Sequence, residues 1–211
     1  LRNRQFAHGG RGLDRPVSRR GVSGPRVGAA ALAAVLGGGW WLASGRWRRT
    51  WRADSLTGVA NRDRALRHLH AELVRSTRTG RMVGVAFCDI DAFKQVNDQH
   101  GHLAGDLVLV TVAQCLRDAV RPSDVVARVG GDEFVVVCGG LRSAADMETI
   151  TERLQASLTQ APAQRETGDP LAEMGVTVSI GSATGRGGEA TAGALLHAAD
   201  RSMYRQKGWR P

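Results

Sequence analysis

Apolar positions between residues 61 and 206 recur in two rhythms. Leu66, Leu69, Leu73 and Val74 return at helical spacing and predict a helix from about Asn61 to Thr77. Met82 to Cys88 is instead an unbroken apolar run of strand length, ending in Asp89-Ile90-Asp91. After Gly101 the run Leu103, Leu107, Val110, Val112, Leu116 and Val120 predicts a second helix, which Pro122 stops. Val125 to Val129 and Phe134 to Val137 flank Gly130-Gly131-Asp132-Glu133. That is the pattern of a β-hairpin over about 124–138, with glycines where the turn would ask for positive φ. Ala144 to Thr159 predicts another long helix, 161–170 a loop rich in Pro, Gly and charge, and Gly175 to Ser182 a strand. Leu195, Leu196, Ala199 and Met203 share one face of a last helix, Ala192 to Gln206.

The order strand, helix, two-strand hairpin, helix, strand, helix fits an α+β class. It predicts a ferredoxin-like βαββαβ arrangement, an antiparallel sheet with helices on one face. Ahead of it, residues 1–26 are rich in Arg and Gly without apolar periodicity and are expected to be a disordered tail. Residues 27–45 carry no charge and have the length of a single transmembrane helix, although their alanines and glycines make it a weak one. Trp40, Trp41 and Trp47 with Arg48 and Arg49 resemble an interfacial belt and a basic stop. A mobile linker is the competing reading of that segment. Residues 46–53 read as a basic linker and 54–211 as the globular domain.

Charge sharpens this division. The formal net charge is +9, but residues 1–52 hold eleven arginines against Asp14 alone, which leaves the remainder at −1. The globular part therefore has no general attraction for polyanions, and nucleic acid is not an expected partner. Cys88, Cys115 and Cys138 are widely spaced in apolar surroundings without a CxxC pair, so they read as buried thiols rather than a zinc site.

Chemistry gathers at the strand ends. Asp89 ends the first strand, and Asp132-Glu133 occupy the hairpin tip. If those strands are neighbours their carboxylates converge, and hard oxygen ligands of this kind suit Mg²⁺ beside substrate phosphates. Either group taken alone is equally well a solvated strand end. Phe93 and Lys94 fall in the turn after the strand, where backbone N–H groups and an ammonium could cradle phosphates. Asn97 and Asp106 are candidates for base recognition, because a carboxylate facing the donor pair of guanine rejects adenine. Asp106 in the first turn of a helix also fits simple capping.

Taken together, Asp54-Ser55-Leu56-Thr57-Gly58, the run from Asp89 to Asp106, Arg121-Pro122-Ser123-Asp124 and Gly130-Gly131-Asp132-Glu133-Phe134 resemble the GGDEF-domain diguanylate cyclases. Val176 to Ser182 and Ala199 to Lys207 continue the likeness. The resemblance implies a nucleotide-cyclase palm-like domain that condenses two GTP into cyclic di-GMP. It implies that Asp89, the Ile90 carbonyl, Asp132 and Glu133 hold two Mg²⁺ (or Mn²⁺) ions per active site. Glu133, Asp132 and Lys94 would be catalytic. Phe93, Lys94, Asn97, His102, Asp106, Gly130, Gly131 and Lys207 would bind GTP, with His102 in a structural role. Arg121 and Asp124, with Arg153 on the following helix, would form an inhibitory site for the product. The chain departs from the family at its end, where Arg210 stands one position early after Lys207.

The expected assembly is a homodimer, because each GTP must meet the other's α-phosphate. The expected location is the inner (cytoplasmic) membrane, attached through the N-terminal segment with the catalytic domain in the cytoplasm, or otherwise the cytoplasm itself. A non-catalytic cyclic di-GMP receptor or scaffold, working through Arg121 and Asp124, is the alternative.

Overall fold

A computed structural model describes residues 53–159 and 169–207. The tail (1–26), the candidate membrane segment (27–45), nearly all of the basic linker and the Arg210 position lie outside the described residues. Among the described residues no helix is long and apolar enough to cross a membrane.

The elements in order are β1 (Ala60–Asn61), α1 (Arg62–Thr79), β2 (Met82–Ile90), α2 (Phe93–His100), α3 (His102–Asp118) and β3 (Val125–Arg128). They continue with β4 (Glu133–Leu141), α4 (Ala144–Thr159), α5 (Pro170–Glu173), β5 (Val178–Gly185) and α6 (Ala192–Gln206). The five strands form one sheet in the order β1-β3-β4-β2-β5. The four long strands pair antiparallel, as the split βαβ pattern requires. The two-residue β1 adds a parallel edge beside β3, so the sheet is mixed.

The helices cover both faces of the sheet rather than one. Ala86, Cys88 and Ile90 of β2 and Phe134, Val136 and Cys138 of β4 pack under α3 and α4. The alternate residues Val83, Val85, Val135 and Val137 pack under Leu69 and Leu73 of α1 and Leu195 and Ala199 of α6. The reason is visible in the strands themselves. Runs with no polar alternation have no face fit for water, so both sides must be covered.

Local details also differ. Asn61 lies outside the first helix as its N-cap, its Oδ1 accepting from the Arg64 N–H at 3.0 Å, and Gly80 closes the helix with φ 67°. Phe93 and Lys94 open α2 instead of lying in a turn. The last strand is displaced to Val178–Gly185, and Asp169 caps the short α5 ahead of it. Cys88 and Cys138 are buried, Cys115 is half-buried, and none of the three forms a disulfide. Burial pushes the Cys88 thiol up to about 12.

Candidate active site

The hairpin tip is built by β3 and β4, with Arg128 opposite Phe134 and the Val129 N–H donating to the Glu133 carbonyl at 2.9 Å. Neither Gly130 nor Gly131 has a positive φ, contrary to the turn expectation. A Cβ at Gly130 would overlap the Glu133 carboxylate, so the Glu133 side chain would have to move to admit one. A Cβ on Gly131 would meet nothing within 4 Å, so the tip is open on that side. Beneath it, Arg128 donates from Nε (3.0 Å) and Nη2 (2.6 Å) to the Gly131 carbonyl and pairs through Nη1 with Asp54 at 3.3 Å. Asp54 also accepts from the Thr57 N–H and hydroxyl at 2.9 and 2.7 Å. Burial pushes the Asp54 carboxyl up, but the Thr57 hydrogen bonds and the Arg128 charge outweigh it, and its pKa is lowered.

β2 and β4 are neighbours, so the acids converge. Asp89 stands in register with Glu133, and the Ile90 N–H donates to the Asp132 carbonyl at 3.3 Å. Burial and the nearby charges of Asp132 and Asp91 raise the pKa of Asp89, against the pull of Lys207. Burial and the charges of Asp89, Asp132 and Asp200 raise that of Glu133, against a weaker effect of Arg62. These carboxylates are crowded without enough cations to match, which is the condition a divalent ion relieves. Asp89, Asp132 and Glu133 carry hard oxygen atoms, although among the described residues no three His, Cys, Asp or Glu side chains stand grouped as a metal site.

Lys207 does not stand free for a triphosphate. Its Nζ is bonded to Asp89 Oδ1 and lies 3.1 Å from Asp91 Oδ1. Asp91 in turn accepts from Thr177 Oγ1 and Ser179 Oγ, both at 2.8 Å. Burial raises the Asp91 carboxyl, yet these hydroxyls and Lys207 together hold it below its ordinary value.

Beyond Asp91 the chain reverses at Ala92, the one non-glycine residue with positive φ (53°) among the described residues. A left-handed alanine costs about 1 kcal/mol, and such strain gathers where function demands a particular backbone. The N-terminus of α2, with Lys94 exposed in its first turn, follows directly on the strand end that carries Asp89 and Asp91. The first N–H groups of a helix have no acceptor within it and favour anions. Helix α3 then packs closely on α2. A Cβ at Gly105 would overlap Asn97 Oδ1 and stand 3.2 Å from Phe93 Cζ, so a larger residue there would displace the Asn97 side chain. Asp106 lies in the second turn of α3, not the first, which removes the capping explanation. His102 and Asp106 are exposed.

Arg121 and Asp124 form a tight turn: the Arg121 N–H donates to Asp124 Oδ2 at 3.1 Å and the Asp124 N–H to the Arg121 carbonyl at 2.9 Å. Burial raises the Asp124 pKa, opposed by Arg121, His68 and Arg153. Arg153 is therefore near, although its own guanidinium donates to the Ala119 carbonyl. Arg121 and Asp124 line a cavity of about 450 Å³ with Arg64, Arg117, Gly58 and Ala60.

A family model described as the diguanylate cyclase GGDEF domain matches residues 52–209. The chain belongs to the GGDEF family. It is 40% identical over 151 residues to the diguanylate cyclase TpbB of Pseudomonas aeruginosa, covering 72% of this chain and 34% of that protein. The chain thus spans about a third of the length of this curated relative. Among solved structures, the GGDEF domain of TpbB matches with a TM-score of 0.63 and 38% identity, over 72% of this chain and 92% of that one. The coiled coil and GGDEF domain of DgcB from Caulobacter crescentus, in complex with c-di-GMP, matches with a TM-score of 0.71 and 28% identity, over 86% and 95%.

Within this GGDEF domain, sequence reasoning missed Arg128, Asp91 and Asp54 as site-building residues. Arg128 carries a signal in hindsight, since an arginine just before a glycine turn has carbonyls within reach. In the sequence Asp91 reads only as part of the strand end, and its hydroxyl partners lie 86 and 88 residues away, beyond any local pattern.

Proposed function

We propose that this GGDEF domain condenses two GTP into cyclic di-GMP with release of two pyrophosphates, in a metal-dependent reaction at a homodimer interface. The observation that carries this reading is the convergence of Asp89, Asp132 and Glu133 at one end of adjacent antiparallel strands, beside the N-terminus of α2. Asp89, the Ile90 carbonyl, Asp132 and Glu133 would hold Mg²⁺ or Mn²⁺, two per site. Bound there, the ions supply charge neutralisation at the transferring phosphoryl group.

The chain's own residues account for the rest. Glu133 has its proton affinity raised by burial and its acidic neighbours, which suits it to take the ribose 3′-OH proton. The oxygen then attacks the α-phosphorus of the second GTP, and the bond to pyrophosphate breaks. Lys94 and the first N–H groups of α2 receive the phosphates. Lys207, held on Asp89 and Asp91, would add a further ammonium for the phosphates if freed from those carboxylates. Phe93 and Asn97 on α2 and His102 and Asp106 on α3 frame the guanine cleft, where Asn97 and Asp106 read the base. Gly130 and Gly131 keep the tip open for the ribose. Catalysis rests on positioning and charge, as phosphoryl transfer generally does.

Product feedback is assigned to Arg121 and Asp124, with Arg153 behind them. Arginine forks match phosphodiesters, and the cavity they line is of nucleotide size. The DgcB complex with c-di-GMP supports a product site in a domain of this fold. The test is to incubate the chain with GTP and Mg²⁺ and identify the nucleotide product by mass. Cyclic di-GMP is expected, and Arg121→Ala should relieve inhibition by added product. Tight cyclic di-GMP binding with no turnover, even with dimerisation forced by a fused coiled coil, would replace this reading with a receptor.

A further inference from the structure

Between α1, α6 and the sheet face they cover lies a cavity of about 190 Å³ that no role described so far uses. Local patterns explain what lines it. Arg62, Leu66 and Leu69 recur at i, i+4 and i+7 and so share one stripe of α1. Glu133, Val135 and Val137 alternate along β4 and so share one face of the sheet, where Phe87 of β2 stands opposite Val135. Asn61 is in register with Arg128, and the Val129 N–H is bonded to the Glu133 carbonyl. The first residue of α1 and the first residue of β4 therefore lie at the same end of the cavity. One end carries a guanidinium and a carboxylate, and the rest is apolar.

The apolar part is not fully covered. Leu69 is buried, but Phe87, Val129 and Leu196 are only half-buried. Apolar surface left to water inside a concave site is what the apolar part of a ligand removes. The charged end is equally open to a partner. Arg62 acts on Glu133 through its charge, with no hydrogen bond between them among the described residues, and Asp132 and Asp200 add negative charge on the Glu133 side.

We infer that this cavity binds a free α-amino acid with a large apolar side chain. The side chain enters the cavity, the ammonium stands against Glu133, and the carboxylate takes the Arg62 fork. An apolar amine would answer Glu133 alone, and an apolar acid would set another carboxylate beside it. Only a zwitterion meets both signs. Size agrees, since an apolar cavity of about 150 Å³ holds benzene. The side chain of leucine or phenylalanine fills the space, and that of alanine leaves it empty.

Occupancy acts on catalysis, a consequence that rests on the cyclase reading. Glu133 is the group assigned to the ribose 3′-OH proton, and an ammonium against it withdraws it from that work. The guanine cleft belongs to α2 and α3, so the amino acid should lower kcat and leave KM for GTP little changed.

The test measures binding of L-phenylalanine to the 211-residue chain by equilibrium dialysis without added divalent ion. L-Leucine should bind comparably. Phenethylamine lacks the carboxylate and 3-phenylpropionate lacks the ammonium, and each should bind about tenfold more weakly or worse. Arg62→Met keeps an apolar stem and should weaken phenylalanine about tenfold while leaving phenethylamine unchanged, a selectivity that a misfolded variant would not show. Leu66→Trp, at a half-buried position of the wall, should fill the cavity and abolish binding of every probe, with circular dichroism checking the fold. The inference is overturned if phenylalanine does not bind, if phenethylamine binds as tightly, or if Arg62→Met or a folded Leu66→Trp binds like wild type. Binding that leaves turnover unchanged overturns the placement of the ammonium on Glu133. If phenylalanine binds through Arg62 while the chain makes no cyclic di-GMP, the cyclase reading falls and the cavity's ligand stands. If product forms and phenylalanine neither binds nor slows it, the ligand falls and the cyclase reading stands.

Discussion

Asp54 and Glu133 are carboxylates served by one hairpin, and the fold treats them in opposite ways. Asp54 sits under the tip with Thr57 and Arg128 as partners, and its pKa is lowered in spite of burial. Glu133 sits on the tip beside Asp89, Asp132 and Asp200, and its pKa is raised. A carboxylate that holds structure is given donors. A carboxylate left among like charges is a candidate for chemistry, because its repulsion is relieved only by something that binds there. Arg128 joins the two, because the same guanidinium holds Asp54 and the Gly131 carbonyl.

The largest effect expected from breaking this contrast is on turnover. Asp132→Asn with Glu133→Gln should lower cyclic di-GMP formation by roughly 10³-fold or more, measured by pyrophosphate release. The same double variant should be at least as heat-stable as wild type at neutral pH, because it removes repulsion. The sign follows from the raised Glu133 pKa. Its ionised form is the disfavoured one, so the gain is greatest above that pKa and shrinks as pH falls through it. A double variant that melts well below wild type would contradict the crowding.

Arg128→Lys comes next. It retains charge for Asp54 but loses the fork on Gly131, so the tip should drift from its catalytic position. A fall in kcat of about 10-fold to 100-fold is expected with KM for GTP little changed, and Arg128→Ala should be worse in both rate and stability. Equal loss in kcat and in melting temperature for the lysine variant would reduce Arg128 to a structural role.

Asp54→Asn should cost about 1–3 kcal/mol of unfolding free energy at neutral pH, read by urea denaturation. Its lowered pKa sets the pH window. The contribution of the ionised group is complete above the unfolded carboxylate pKa and is lost as pH falls through the lower folded value. Wild type and variant should therefore converge in acid. The smallest effect is from Mg²⁺ alone, which should raise the wild-type melting temperature modestly and leave Asp89→Asn with Asp132→Asn unmoved.

Much of this molecule is legible in one dimension. Periodicity alone locates α4 and α6, and the unbroken run of Met82 to Cys88 locates β2. The acids at Asp89, Asp132 and Glu133 are visible because strand ends and glycine turns are local features. Periodicity does not say which apolar residues of α3 face the core, since Leu103, Leu107 and Val110 share apolar character with the buried ones yet are exposed. Only the sheet's position distinguishes those faces. Neither glycine of the tip has the positive φ that the turn pattern suggests; Gly130 stands against the Glu133 side chain, while Gly131 faces open space.

The order of elements, the identity of the acids and the family likeness were thus determined by the sequence, because each depends on neighbours a few positions apart. Tertiary structure decided which carboxylates are satisfied and which are crowded. It placed Lys207 on Asp89, Arg128 between Asp54 and Gly131, and the hydroxyls of Thr177 and Ser179 on Asp91. Charge and hydrogen bonding act over a few ångströms regardless of chain distance, and in this domain those ångströms join residues as many as 118 positions apart.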